Sequence, residues 1–379
     1  MIKNILIGCL VAFGVLLILL AIGGFLFYRY LLSPRLKMPP GLKTPAVLTG
    51  SQFMSKSLFI EDSRLGDVTD IARGEFDQKA GPEIGVVGSR GALFVDEFGN
   101  ILSSVLFGAD AEHVDIVDVE GDGICEFMNR GCWSYDASLI DHKGNVIWTY
   151  GGSSGVDDMA AGDLDGDGVL EFVVGFNGAG GVHLLSNTGV KKWNQSDGNV
   201  WHVEVVDTDG DGLSEIVHSN AGGQITVRDK RGNIISQVDP AAYFSDFSLC
   251  RWPTHKDRDF ALLAEDDKIW LFDFNGKVVA QFDAPHCGTL GHARGTPVRF
   301  KSDEPPYLAV VVEFSNWERS ILYVYDASGN LIYQEIIAEA CPSIAALALH
   351  SPTEETLLVG EKDKVWQYEA TSSNADNGG

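Results

Sequence analysis

Basic residues are scarce: 28 Lys and Arg stand against 53 Asp and Glu in 379 residues, a formal net charge of −25. Five of the 28 (Lys3, Arg29, Arg35, Lys37 and Lys43) precede position 45, and no acid precedes Glu61. The remainder therefore carries 23 positive charges against all 53 negative ones. So acidic a surface repels phosphate backbones and anionic headgroups, which argues against a nucleic-acid partner and suits cations. Cysteine is sparse as well. Five Cys lie beyond the first 45 residues (Cys125, Cys132, Cys250, Cys287 and Cys341), an odd number that leaves at least one thiol unpaired. Cys125 and Cys132 could pair locally, but small buried thiols are the reading the residues favour. The chain has no G-x-S-x-G elbow, no H-E-x-x-H, no phosphate loop and no paired zinc spacing, so no nucleophile constellation is visible. With 45% hydrophobic residues it has material for a large core, which excludes intrinsic disorder. The 43 Gly follow no collagen period and point instead to many tight turns, hence to β structure.

From Ile5 to Tyr28 runs ILIGCLVAFGVLLILLAIGGFLFY, 24 residues without a charge. That length spans a hydrocarbon layer of about 30 Å as a helix. No convincing A-x-A cleavage site follows. Leu6-Ile7-Gly8-Cys9 looks like a lipoprotein box, yet the apolar run continues well past that cysteine. The expectation is an uncleaved transmembrane anchor over residues 1–33, then a stalk over 34–57 stiffened by Pro34, Pro39, Pro40 and Pro45. Counting Lys and Arg on either side of the span places the body in the cytoplasm. The loops described next favour the opposite side, where calcium is millimolar. The body is accordingly expected outside the membrane.

One pattern recurs from Ser63 onward: an apolar-alternating run, an acidic loop, an acid followed by a short apolar run, a turn, a further run, a D-x-x-G turn and a last run. The acid-plus-apolar step falls at Glu83-Ile84, Glu126-Phe127, Glu171-Phe172, Glu215-Ile216 and Asp259-Phe260, with looser forms at Pro306-Tyr307 and Glu355-Thr356. The D-x-x-G turn keeps a second clock at Asp96–Gly99, Asp141–Gly144, Asp229–Gly232, Asp273–Gly276 and Asp326–Gly329, with Ser186–Gly189 completing it. Four short strands per 40–50 residues or so describe a propeller blade, whereas a β-helix would need much shorter coils. The expectation is one all-β domain, a seven-bladed β-propeller over residues 58–370, followed by a disordered tail over 371–379. The last repeat is one strand short, and Leu58-Phe59-Ile60 can supply the missing outer strand and close the ring.

Three loops share a nine-residue form: DVEGDGICE (Asp118–Glu126), DLDGDGVLE (Asp163–Glu171) and DTDGDGLSE (Asp207–Glu215). Carboxylates at positions 1, 3, 5 and 9 converge while glycines at 4 and 6 permit the sharp turns. Calcium takes six to eight hard oxygens, commonly including a backbone carbonyl. The predicted ligands are Asp118, Glu120, Asp122, Ile124 carbonyl and Glu126; Asp163, Asp165, Asp167, Val169 carbonyl and Glu171; Asp207, Asp209, Asp211, Leu213 carbonyl and Glu215. Two to three Ca2+ ions are expected. An EF-hand would require Glu at the twelfth position, which holds Asn129, Val174 and His218 here.

These loops, followed by stretches such as Glu171-Phe172-Val173-Val174-Gly175-Phe176-Asn177-Gly178, resemble the FG-GAP or VCBS repeats of integrin-alpha-like propellers over residues 63–369. The resemblance implies calcium in the same loops. The first repeat reads EFDQKAGPE (Glu75–Glu83), with Lys79 where the central acid should be, and the fifth reads RWPTHKDRD (Arg251–Asp259), so neither is expected to hold metal. What the resemblance implies is a membrane-tethered, calcium-rigidified, non-enzymatic module that presents a face to a protein or glycan partner. Calcium-bearing propellers also occur among polysaccharide lyases, which is the alternative; a lyase would need Lys, Arg or His in a groove beside a calcium. Hairpins ending in Trp148 and Trp193 are faintly like quinoprotein repeats, but packing between blades explains these tryptophans better.

Counting back five residues from each loop's first position lands on Asp70, His113, Asp158, His202 and Asp246, with His292 or Arg294 continuing the series. In a propeller these side chains line the axis at one level. They either cap hydrated strand ends or form a ligand ring suited to a transition metal or a sugar's hydroxyls.

Overall fold

The computed structural model describes residues 46–76, 83–107, 111, 113–130, 134–239, 247–252, 255–287, 292–314 and 319–371. The anticipated anchor, residues 34–45 of the stalk, Lys79, Cys132, Asp246 and the tail beyond Thr371 lie outside them. The described residues form a seven-bladed β-propeller, each blade a set of antiparallel strands running outward from the axis in chain order. Blade 1 comprises Val68–Gly74, Glu83–Gly88, Gly91–Val95 and Ile101–Leu106. Blades 2 and 3 are joined by one long strand, Val146–Gly162. Its first part pairs with Ser134–Ile140 as the outer strand of blade 2, and its last part pairs with Glu171–Phe176 as the inner strand of blade 3. The inner strands of blades 4 to 7 are Val200–Val206, Ser248–Trp252, His292–Val298 and Ser343–Leu347.

The apolar residue after each repeat's acid builds the core. Ile84, Phe127, Phe172, Ile216 and Phe260 are essentially inaccessible, as are Leu308 and Leu357 in the looser repeats. The strand they sit on is buried on both faces because each blade is sandwiched between two neighbours. That is why it reads as a continuous apolar run, whereas the outer strands alternate. The D-x-x-G turns are uniform. In blades 1, 2, 4, 5 and 6 the Asp Oδ1 accepts the amides two and four residues on, as with Phe98 and Asn100 on Asp96. The glycine closing each turn adopts φ between +75° and +87°, a conformation that residues with a Cβ rarely adopt.

The ring closes as a count of strands anticipates. Met54–Glu61 pairs antiparallel with Lys364–Ala370 as the outer strand of blade 7, with Leu58 opposite Trp366 and Ile60 opposite Val365. The residues expected as the end of the stalk do more than connect. Ala46–Thr49 adds a fifth strand to blade 6 against Leu331–Ile337, where Leu48 reaches the blade 6 core. Apolar alternation over only four residues is too short to announce a strand in the sequence. Among the described residues no helix is long and apolar enough to cross a membrane. Cys125, Cys250, Cys287 and Cys341 are buried free thiols.

Candidate metal centres

The acidic loops connect inner to second strands on one face of the ring. In blade 3, Asp163 accepts the amides of Asp165 and Gly166 on Oδ1 and that of Gly168 on Oδ2. Blade 4 repeats this with Asp207 and the amides of Asp209, Gly210 and Gly212. Burial pushes both carboxyls up, but these amides outweigh it and hold them below the usual carboxylate range. The fifth-position acid accepts the seventh-position amide, Val169 on Asp167 and Leu213 on Asp211, at 2.8 Å each. The ninth-position glutamate reaches back under the loop, where the Leu164 amide donates to Glu171 and the Thr208 amide and hydroxyl donate to Glu215.

Among the described residues, two acid sets each bring three carboxylates within 4.8 Å of one another: Asp163, Asp165 and Glu171, and Asp207, Asp209 and Glu215. Hard oxygens at this spacing fit a divalent cation of the calcium type. The remaining predicted ligands of these loops, Asp167 with the Val169 carbonyl and Asp211 with the Leu213 carbonyl, are not part of either set. In the loop of blade 2, Asp118, Glu120, Asp122 and Glu126 form no such set, and the Ile124 amide donates to Asp122. There, burial first and then Glu120, Asp122 and Asp118 push the Glu126 carboxyl up to about 7. The two convergent sites differ in one respect invisible to a motif. Lys192 Nζ lies 2.6 Å from Glu171 Oε1, so a lysine already engages the glutamate of blade 3. Blade 4 has Thr208 instead. In blade 5 the first and last loop positions pair with each other: Arg251 Nε stands 3.1 Å from Asp259 Oδ1.

The axial residues come together differently from a simple ring. Asp158 accepts from His202 Nδ1 at 2.5 Å, from the Val203 amide at 3.0 Å and from Arg130. Arg130 also reaches Asp115 at 3.0 Å, and His202 Nε2 lies 3.2 Å from Glu204. Burial alone would raise the Asp158 carboxyl, yet Arg130 and His202 hold it far below its ordinary range. Burial would likewise lower His202, but Asp158 raises it to about 10, so it is an imidazolium at neutral pH. Asp70 accepts the Ile116 amide from the next blade. Burial, then Asp115, pushes its carboxyl up to about 6. His113 accepts from Arg294 of blade 6 at 3.2 Å. Counting back from the loops does not reach Arg130, Asp115 or Glu204. The last two lie two residues beyond His113 and His202 on the same face of their strands, so period-two alternation would have found them.

Both tryptophans bridge blades. The Trp148 indole donates to the Asn187 carbonyl and packs edge-on against Phe172, and the Trp193 indole donates to the Lys230 carbonyl.

The fold has known counterparts. Two crystal structures of BBS1N in complex with ARL6DN, soaked with lead and with mercury, each superpose with a TM-score of 0.58 at 11% identity; they match 84% and 87% of this chain and 98% of theirs. Similarity at this level shows the propeller and nothing finer. BamB from Moraxella catarrhalis matches 88% of this chain and 98% of its own at 14% identity and a TM-score of 0.48. No family model matches the chain, and no curated protein does.

Proposed function

We propose that the chain is a calcium-stabilised, membrane-tethered β-propeller of the FG-GAP/VCBS type that acts outside the membrane as a non-enzymatic module binding a protein or glycan. The observation that carries this reading is the pair of convergent acid sets on adjacent blades, Asp163–Asp165–Glu171 and Asp207–Asp209–Glu215. Bound ions would cancel the mutual repulsion of each set and hold rigid the loop face next to it. The uncharged run Ile5–Tyr28 supports the tether, and the calcium affinity expected of such loops supports an extracytoplasmic body.

Two measurements test this. The purified chain should hold about two calcium ions and melt lower in chelator; unchanged melting would remove the structural role of the ion. Protease added to intact cells should digest the body, and protection would place it in the cytoplasm, as the cluster Arg29–Lys43 alone favours. The lyase alternative is supported by one specific feature, Lys230 and Arg231 lining a cavity together with Glu215. Release of unsaturated products from any polyuronate would decide for it.

A further inference from the structure

On the loop face, a cavity of about 240 Å3 opens between the blade 3 and blade 4 loops. Leu213, with the buried Leu164 beneath it, gives it an apolar wall, Ser214 and Glu215 come from the end of the blade 4 loop, and Asp229, Lys230 and Arg231 come from the D-x-x-G turn of blade 4. In an up-and-down blade the first and third connections emerge on the same face, which is why loop and turn meet. The turn is held on both sides: the Trp193 indole donates to the Lys230 carbonyl at 2.9 Å and Arg228 Nη1 to the Gly232 carbonyl at 2.6 Å. Leu213 also reaches across to the blade 3 loop, 3.5 Å from where a Cβ on Gly166 would stand.

Two nearby cations are tied to acids, Lys192 to Glu171 and Arg228 to Asp197. Lys230 and Arg231 are exposed and form no ion pair among the described residues. The Asp229 carboxylate beside them feels the Arg231 charge but is already hydrogen-bonded by the Arg231 and Asn233 amides and the Asn233 side chain. At the same turn the other blades carry Glu97-Phe98, His142-Lys143, Asn187-Thr188, Phe274-Asn275 and Ala327-Ser328. In a chain of net charge −25, two adjacent unpaired cations on a rigid turn beside a cavity are positioned for an anion.

We infer that this cavity binds a uronate residue of an acidic polysaccharide. Its carboxylate lies on Arg231 and Lys230, the C–H face of its ring lies against Leu213, and a hydroxyl meets Ser214. The volume is below the roughly 300 Å3 at which drug-sized pockets begin, so it takes one sugar ring at a time. An acidic peptide side chain would satisfy the cations but leave the exposed Leu213 uncovered. The inference rests on the proposed calcium reading of Asp207–Glu215, because an ion there offsets the acids that would otherwise repel the carboxylate.

The test is calorimetric titration of the full chain in detergent, at saturating calcium, with oligogalacturonate. Binding is expected, and Lys230→Gln with Arg231→Gln should weaken it by about tenfold or more while calcium content and melting temperature hold. Asp209→Asn should remove one ion and weaken binding as well. Equal binding of a neutral galacto-oligosaccharide would overturn carboxylate recognition, and equal binding of polyglutamate would overturn the sugar class. Calcium content reads the underlying proposal separately. A chain that holds the blade 4 ion yet ignores oligogalacturonate overturns the sugar site alone, and a chain that holds no ion overturns the calcium reading on which it rests.

Discussion

Arg294 Nη2 lies 3.2 Å from His113 Nε2, and the two residues belong to the inner strands of blades 6 and 2. Those blades are not neighbours, so the contact crosses the axis of the ring. An arginine has only donors, so His113 accepts through Nε2 and carries its proton elsewhere. The same guanidinium attracts Asp70 of blade 1, placing three blades on one crossbar that flanks blade 7, the blade assembled from both ends of the body. Arg294→Met keeps the length and removes the charge. It should lower unfolding stability by about 1–3 kcal/mol, because Asp70 loses a compensating cation and His113 its donor. His113→Gln, which retains an acceptor, should cost much less. Denaturant midpoints measure both; a wild-type midpoint for Arg294→Met would mean that the crossbar bears no load.

Two buried histidines should shape opposite limbs of the stability–pH curve. Burial first, with Arg228 adding to it and Asp197 opposing, pushes His218 down to about 4. The unfolded chain binds that proton at about pH 6.5, so stability is lost as pH falls from about 6.5 toward 4. His202 is raised to about 10. Its contribution is full below about pH 6.5 and is lost as pH rises from there through 10. Melting temperatures across pH should show His218→Gln flattening the acid limb and His202→Gln the alkaline limb. Asp70, raised to about 6, works against the acid loss, since its protonation favours the folded chain below that pH. Parallel curves for wild type and both variants would exclude these assignments.

Calcium should bind the two convergent sites unequally. Glu171 is already paired with Lys192 at 2.6 Å, so an ion in blade 3 must displace or share that contact. Lys192→Met should tighten the weaker site by roughly twofold to fivefold, the equivalent of an ion pair of ~0.5–1 kcal/mol. Asp209→Asn should instead abolish the stronger site. At a hundredfold excess of calcium over its dissociation constant, each occupied site adds about 2.7 kcal/mol to folding. Competitive titration with a chelating dye resolves the two affinities. Identical isotherms before and after Lys192→Met would show that the lysine does not compete.

The seam between blades 6 and 7 offers a separate stability test. Lys56 of the closing strand sits 2.9 Å from Glu335 Oε1, which is buried, and lies over the rings of Trp366 and Tyr368. Lys56→Met would leave Glu335 with only the Tyr333 and Tyr368 hydroxyls as donors. The expected loss is about 2–3 kcal/mol, below the 3–5 typical of a fully buried pair because those two donors remain. Urea unfolding at pH 7 would measure it, and a loss under about 0.5 kcal/mol would mean that the pair is effectively screened.

The parts of the fold that recur were legible residue by residue. Asp96, Asp141, Asp229, Asp273 and Asp326 each fold their own turn through amides within four residues, so a short string specifies each of them. The acidic loops are equally local, since Asp163 and Asp207 organise amides no more than five residues away. Seven repetitions of one local unit, each with an apolar run that needs covering on both faces, leave a closed ring as the arrangement that buries them all. The missing outer strand could therefore be found by counting.

Side-chain contacts between strands of one blade and between blades were not legible, because no spacing encodes them. The Lys192–Glu171 pair links residues 21 apart, Arg130 joins Asp115 to Asp158, and Arg294 meets His113 across 181 positions. Even the axial series, which places Asp158 and His202 on inner strands, did not reveal the Arg130 that ties Asp158 to Asp115. Sequence alone determined the blade, its turns and the two loops, of the three proposed, in which acids converge, since those depend on backbone geometry over a few residues. Tertiary structure decided which acids are neutralised and which blades are tied together, and it placed two cations beside a cavity. Each of these depends on distances between side chains that only strand pairing and the packing of blades bring within reach.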